Sequence, residues 1–357
     1  MSIVPDADAE ELRGHLRKFL DKEAGRERLR AGLDTDSGYD LKLWRRAVDG
    51  LGLTALLVPE AYGGSAIDLL TLGVVFEEFG RALVCAPFLS TIGLATTALR
   101  AVREADPLFA AIASGTVVTL AWTGRRPSDT ELVWDGETVT GVVPIVIDGA
   151  DADELLVAAR SGAHVVLVQV SAEALTRTPL TTLDTTRRLA RVTFEQAHGR
   201  VLGTDVAPAL DDALATGSLL LGAEQVGVAA RALDMAVEYA RTRVQFGRPI
   251  GSFQAVKHRC ADLLVDVELS RSLVCGALAA VDDDPAVVQL EAALVGGFVG
   301  DACLAVTAAN IQLHGGIGFT WEHDAHLYLK RAKADQLLFG TPTSHRLRAA
   351  TLLGVQE

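Results

Sequence analysis

No uninterrupted apolar run in this chain is long enough to cross a bilayer. Polar residues interrupt every hydrophobic run before the roughly 20 positions that a spanning helix needs, so no membrane partner is expected. Positive charge is also in short supply. Against 46 Asp and Glu stand 33 Lys and Arg, a formal charge of −13, and such a balance disfavours nucleic acid on electrostatic grounds. A local basic patch inside an acidic whole leaves anionic cofactors open. The four cysteines, Cys85, Cys260, Cys275 and Cys303, lie far apart in apolar surroundings, with no CxxC pair and no obvious base beside any of them. They predict reduced core thiols in a cytoplasmic protein and give little support to a nucleophilic cysteine. The N-terminus, MSIVPDADAEELRGHLRKFLDKEA, is acidic and amphipathic and lacks the features of a signal peptide.

What remains is a chain of 357 residues, long enough for a large core and two or three structural units. Residues 1–115 read as helical: Leu12, Leu16, Phe19 and Leu20 recur at helical spacing, as do Leu43, Val48, Leu51 and Leu53 less regularly. The turn PEAYGG at 59–64 breaks this block, and an apolar helical region follows from about Leu69 to Val102. Residues 116–205 change texture. ELVWDGETVTGVVPIVIDG carries a hairpin signal at Asp-Gly, and HVVLVQV and RLARVTF are further strands, which predicts a small antiparallel β domain. In residues 206–357 the helical period returns, with Leu219, Val226, Leu233 and Val237 on one stripe and Cys260, Leu263, Leu264 and Val267 on another. Residues 286–312 are apolar almost all round, as befits a helix buried among helices. The fold class is therefore mainly α with a β insert.

Two stretches concentrate the chemistry. RTRVQFGRPIGSFQAVKH (241–258) packs cations, an aromatic pair and glycines into a turn between long helices. Composition alone allows a solvated connection as readily as an anion site, in which Arg243 would fork onto phosphate, Gln254 would bond a base or ribose, and Phe246 would pack on a flat ring. QLHGGIGFTWEH (312–323) offers Gly315, Gly316 and Gly318 for close backbone approach, followed by helix N–H groups. Taken singly, His314 reads as a hydrogen-bonded structural histidine.

Together these stretches resemble the two C-terminal signatures of the acyl-CoA dehydrogenase family. LWRRAVDGLGLTALLVPEAYGG and VVFEEFGRALVCAPFLST are similar to its N-terminal helical domain. The resemblance implies that family's fold: N-terminal helical domain, antiparallel β domain and C-terminal four-helix bundle. It also implies FAD shared across a subunit interface, with contacts to the ADP half and its surroundings from Arg243, Phe246, Gln254, Gln312, Gly315, Gly316, Gly318 and Thr341. No metal is implied.

Other family positions are altered. The flavin loop, Thr-Glu-Pro-x-Ala-Gly-Ser-Asp in the family, falls on AWTGRRPSDTEL (121–132). A second contact, an aromatic followed by Ile-Thr/Ser-Asn-Gly, falls on IVIDG (145–149), with Ile145 and Ile147 replacing the aromatic and the hydroxyl. The catalytic Glu position holds Phe339, and the alternative base position used by some relatives falls at Gly217–Ser218. Glu224 and Glu322 remain as substitutes, the second more simply an acid at a helix N-terminus. A phenylalanine cannot take the α-proton of a thioester, and losing that base costs orders of magnitude in rate.

The resemblance therefore implies one subunit of a heteromeric α2β2 acyl-CoA dehydrogenase, of the kind used in actinobacterial steroid and cholesterol catabolism. A partner chain would supply the catalytic Glu, and an electron-transfer flavoprotein would accept the electrons. Two alternatives stay open: a self-sufficient homo-oligomeric flavoenzyme of monooxygenase or oxidase type, and a scaffold that has lost the flavin.

Overall fold

The computed structural model describes residues 4–33, 39–103 and 106–355; Met1, Ser2 and Ile3 of the amphipathic N-terminal stretch lie outside them. Helices α1 (Ala7–Glu23), α2 (Arg26–Leu33), α3 (Leu41–Leu51) and α4 (Leu69–Arg81) come first. The apolar region from Leu69 to Val102 is interrupted after α4, where Leu83 takes a left-handed backbone (φ +50°) and Pro87 follows. The chain resumes as a π-helical segment, Leu89–Thr96, which runs into α5 (Thr97–Val102) and is followed by α6 (Leu108–Ala113). In the wider turn, the hydroxyls of Thr96 and Thr97 donate to carbonyls five residues back, at Thr91 (2.8 Å) and Ile92 (3.4 Å).

Eight strands make one sheet: β1 (Val118–Ala121), β2 (Val133–Trp134), β3 (Thr138–Ile147), β4 (Glu154–Ser161), β5 (His164–Ser171), β6 (Thr176–Pro179), β7 (Leu189–His198) and β8 (Arg200–Thr204). Their order is β6-β7-β3-β2-β4-β5-β8, with β1 alongside β4. The Asp135-Gly136 turn makes the hairpin that its sequence predicts, with Gly136 at φ +109°. The sheet departs from the expected antiparallel pattern in one place: β1 and Val133 of β2 run parallel to β4. Strand β3 reverses the chain and β4 reverses it again, so β4 returns in the direction of the first two strands. Beyond the sheet come α7 (Ala207–Thr242), a short hairpin of β9 (Val244–Gln245) and β10 (Arg248–Pro249), then α8 (Gln254–Asp283), α9 (Val288–His314), α10 (Ala325–Leu338) and α11 (Pro342–Leu352).

The chain forms two compact units. One comprises Met1–Gly25, Leu69–Val84 and Ser218–Glu357; the other comprises Arg26–Asp68 and Cys85–Gly217. The helices of the first block thus divide between them. Within the helical unit, α4 and α7 meet backbone to backbone: a Cβ added at Gly80 would sit 1.9 Å from the Glu224 carbonyl oxygen, and one at Gly227 would sit 1.8 Å from that of Glu77. Helix α1 is tied on by charge, with Arg13 against Glu77 (3.1 Å) and Arg17 against the buried Glu78 (2.5 Å). The Asp282 carboxylate accepts from the Leu69 and Leu70 amides at 3.0 Å each, capping α4 from α8. In the second stripe Leu263 and Val267 are buried, but Leu264 is 50% exposed and faces outward.

Helix α7 and the Pro285–Phe319 stretch are long and apolar enough to cross a bilayer, yet 94% and 56% of their most apolar windows are buried within the chain. Their hydrophobicity is that of bundle helices. Within the sheet unit, Arg200 forks onto the Asp106 carboxylate (2.8 and 2.9 Å), which draws that acid below the ordinary carboxylate range. The Trp44 indole donates to the Gly115 carbonyl (3.0 Å).

Candidate functional site

At the end of α7 the β9–β10 hairpin reverses through Phe246 (φ +52°) and Gly247 (φ +78°), both left-handed. Phe246 is held outward and 91% exposed, touched edge-on by Phe253 at 6.1 Å. A large aromatic in that backbone region, bare to solvent, gains little from the chain's own packing. Arg248 is occupied, its guanidinium lying 4.1 Å over the Phe253 ring. Arg243 is fixed only through its backbone: its amide donates to the Tyr239 carbonyl and its carbonyl accepts from Ile250, both at 2.8 Å. Among the described residues, the Arg243 guanidinium and the side-chain amides of Gln254 and Gln312 have no hydrogen-bond partner, and all three residues are exposed.

The second stretch begins where α9 ends. Gly315 takes φ +62° and ψ −141°, which a side chain would strain, and a Cβ on Gly318 would lie 2.8 Å from that of His314. Those two glycines serve the chain's own geometry. Gly316 does not: its φ is ordinary, and nothing lies within 4 Å of where its Cβ would be. It leaves bare backbone open to an approaching group. The two stretches are joined by a column of rings. Tyr239, one turn before Arg243, stacks on His314 (4.4 Å between centroids, 29° between planes), and His323 also packs on His314 (4.3 Å, 47°). Arg243, Phe246 and Gln254 are thereby tied to Gln312, Gly315, Gly316 and Gly318 in one region of the bundle.

Thr341 is not brought there. Its hydroxyl caps α11 by accepting from the Ser344 amide (3.1 Å), and α10, of 14 residues and so about 21 Å long, separates its turn from the glycine stretch. Phe339 ends α10 in a half-buried position, and Gly340 turns the chain at φ +127°. The His345 ring backs this turn and fills the space left by Gly296, where an added Cβ would come within 2.7 Å of it. Burial and the nearby Arg348 hold His345 below the ordinary histidine range.

No alternative base stands free among the carboxylates considered. Glu224 is buried and neutralised by the equally buried Arg331. Glu322 is exposed in the turn ahead of α10. At Gly217 there is no room for a side chain, since a Cβ would lie 2.5 Å from Leu94 Cδ2 and 3.1 Å from the Gly93 carbonyl oxygen. The cysteines offer no thiolate: Cys85 and Cys303 are buried, Cys260 and Cys275 half-buried, and burial raises the thiols of Cys260, Cys275 and Cys303.

In the sheet unit several polar groups of the loop after β1 are committed internally. The Ser128 amide and hydroxyl donate to the two carboxylate oxygens of Asp211 (3.0 and 2.7 Å), with Arg126 at 3.7 Å from the same group. Arg160 donates to the Ser128 carbonyl (3.3 Å), the Thr130 hydroxyl to that of Ala158 (2.9 Å), and the Glu131 amide to the Thr123 hydroxyl (2.6 Å). Ile145 is 56% exposed on β3, while Ile147 is buried with its carbonyl taken by Thr119 (2.7 Å). Neither isoleucine offers a polar side chain to a ligand. Sequence reading missed Asp211, Tyr239 and His323. Only Tyr239, one helical turn before Arg243, left a local signal.

This fold and these paired motifs define a flavoprotein dehydrogenase. Residues 6–104 match the acyl-CoA dehydrogenase N-terminal domain and residues 203–353 the acyl-CoA dehydrogenase C-terminal domain. The chain belongs to the acyl-CoA dehydrogenase family, whose members are FAD-dependent oxidoreductases acting on CH–CH groups. Among its relatives it is 38% identical to the acyl-CoA dehydrogenase IpdE2 of Mycobacterium tuberculosis, over 95% of each chain. Among solved structures it is similar to a chain of the ChsE4–ChsE5 complex from Mycobacterium tuberculosis (TM-score 0.89, 27% identity, all of both chains). A chain of the Tcur3481–Tcur3483 steroid acyl-CoA dehydrogenase G363A variant is also similar (TM-score 0.86, 28% identity, 97% of this chain and 98% of that one).

Proposed function

We propose that this chain is the subunit of a heteromeric acyl-CoA dehydrogenase that donates the ADP-binding half of the FAD site and lacks the catalytic glutamate. The observation that carries the reading is an asymmetry in polar groups. Arg243, Gln254 and Gln312 stand exposed without side-chain hydrogen bonds among the described residues, and Gly316 leaves its backbone open, as a site for a pyrophosphate and adenosine requires. In the loop and strand that would address a flavin ring, Ser128, Thr130 and the Ile147 carbonyl are already bonded to Asp211, Ala158 and Thr119. When bound, FAD supplies the hydride acceptor for α,β-desaturation of an acyl-CoA thioester. This chain's residues would fix the dinucleotide's anionic half: Arg243 on phosphate oxygens, Phe246 against the adenine, and the amides of Gln254 and Gln312 on ribose or phosphate.

The partner chain, in an α2β2 assembly, would bring the carboxylate that takes the α-proton, since Phe339 cannot and no side chain fits at Gly217. The steroid acyl-CoA dehydrogenase among its structural neighbours makes a steroid side-chain or ring-derived CoA ester the favoured substrate class. An electron-transfer flavoprotein is the expected acceptor and the cytoplasm the expected compartment. The test is to purify the chain alone and co-expressed with an adjacent acyl-CoA-dehydrogenase-like reading frame, then record flavin absorbance and acyl-CoA turnover with an artificial acceptor. Flavin and turnover should appear only in the co-expressed assembly, and Arg243→Ala should empty it of flavin. A solitary homo-oligomer that binds flavin and is reduced by acyl-CoA would overturn the reading.

A further inference from the structure

We propose that His314 is a positioning residue for the cofactor site: as a neutral imidazole it clamps the end of α7 to the glycine turn after α9, and protonation releases the clamp. The inference rests on the reading of Arg243 and the glycine turn as the ADP site. His314 directly precedes Gly315, and the Tyr239 ring stacked on it lies one helical turn before Arg243. The tautomers follow from the partners. His314 Nδ1 is 2.9 Å from the Asn310 carbonyl oxygen, which can only accept, so Nδ1 carries the hydrogen. His323 Nδ1 accepts from the Ala325 amide at 3.1 Å, so that nitrogen carries none.

Of the two imidazoles, 4.3 Å apart, His323 is therefore neutral in this arrangement, while the bond from His314 Nδ1 is available to that ring in either charge state. A proton added to His323 Nδ1 would face the Ala325 N–H. One added to His314 would place a charge on a buried ring packed against Tyr239 and His323. The groups facing His314 are the Tyr239 phenol from α7, the His323 imidazole from the turn before α10, and the Asn310 carbonyl of its own helix. None of them is an anion that would stabilise the charged form. Burial holds His314 below the ordinary histidine range, so the clamp is closed at neutral pH and opens on acidification.

The experiment uses the flavin-loaded assembly. FAD is a good probe because both charges of its pyrophosphate diester persist from pH 5 to 8, so the ligand does not titrate in the window. Flavin retained per protein after desalting is measured across that range for the wild type, His314→Phe, Tyr239→Leu and Arg243→Ala. The wild type should lose flavin as pH falls, with affinity dropping about tenfold for each unit below the midpoint. His314→Phe keeps a ring in the stack but cannot be protonated, and should hold flavin equally at pH 5.5 and 7.5. Tyr239→Leu uncovers one face of the imidazole, which keeps the proposal testable if the phenylalanine variant misfolds; its acid midpoint should move upward. Acid loss in His314→Phe equal to the wild type, or an unmoved midpoint in Tyr239→Leu, overturns the inference. Arg243→Ala separates the two claims. If it empties the site at every pH while His314→Phe still shows acid loss, only the clamp falls; if it leaves flavin content intact, the ADP-site reading falls and the clamp with it.

Discussion

The absence of a base at Gly217 can be tested by forcing a side chain into its place. An alanine Cβ there would lie 2.5 Å from Leu94 Cδ2, over an ångström inside normal contact, and 3.1 Å from the Gly93 carbonyl oxygen. Leu94 is 0% exposed in the π-helical segment, so its side chain cannot swing into solvent to relieve the clash. Overpacking of this kind costs about 1–3 kcal/mol. Replacing glycine inside α7 returns up to about 1 kcal/mol of helix propensity. With the full propensity gain, the net loss for Gly217→Ala is then about 0–2 kcal/mol. Leu94→Ala alone should cost about 2–5 kcal/mol by opening a cavity. In the double variant the new methyl group enters that cavity, so its loss should fall short of the sum of the two by about 1–2 kcal/mol. Urea unfolding at fixed pH, with midpoints compared at unchanged slope, measures all four corners of this cycle. Strict additivity would refute the claim that α7 and the π segment leave no room for a carboxylate here.

Other outcomes are expected of the same molecule. Arg331→Met should destabilise by about 3–5 kcal/mol in urea unfolding, because it removes the buried cation paired with the buried Glu224. Phe339→Glu should not turn the chain alone into a dehydrogenase, as acyl-CoA turnover would show, because on the proposed reading the partner chain supplies the flavin-ring contacts as well. Burial raises Asp151 to about 6, so the wild type loses stability as pH rises from about 4 toward that value; the advantage of Asp151→Asn should grow over this interval and level off above it in thermal melts. Asp211→Ala should release the loop after β1, seen as faster hydrogen exchange at the Ser128 amide.

The helical elements were legible because their apolar residues repeat. Leu16 and Leu20 on α1 and Leu219, Val226 and Leu233 on α7 are buried as their spacing predicts. Strand β4 escaped notice for the opposite reason: five consecutive residues are buried, so ELLVAARS shows no alternation to read. Strand β6 ends in a proline and β8 carries Gly203, both poor strand signals. The division of the first helices between two units was hidden as well, because α1 is held by ion pairs to residues some 60 positions away. At the candidate site the motif residues announced themselves by type and spacing. Their supports did not: Asp211 reaches Ser128 across 83 positions, and Tyr239 meets His314 only after α8 and α9 have folded between them.

The glycine contact between α4 and α7 has a mechanical consequence. Most helix pairs are separated by side chains that can re-pack, which gives them some slack. Here main-chain atoms touch at Gly80 and again at Gly227, so sliding or rolling one helix on the other would drive peptide groups together. The pair behaves as a single rigid beam. Arg81, at the end of α4, is latched 2.6 Å from Asp234 on α7, and its carbonyl takes the hydroxyl of Tyr328 on α10 at 2.8 Å. Arg243 stands at the end of that beam, directly after α7.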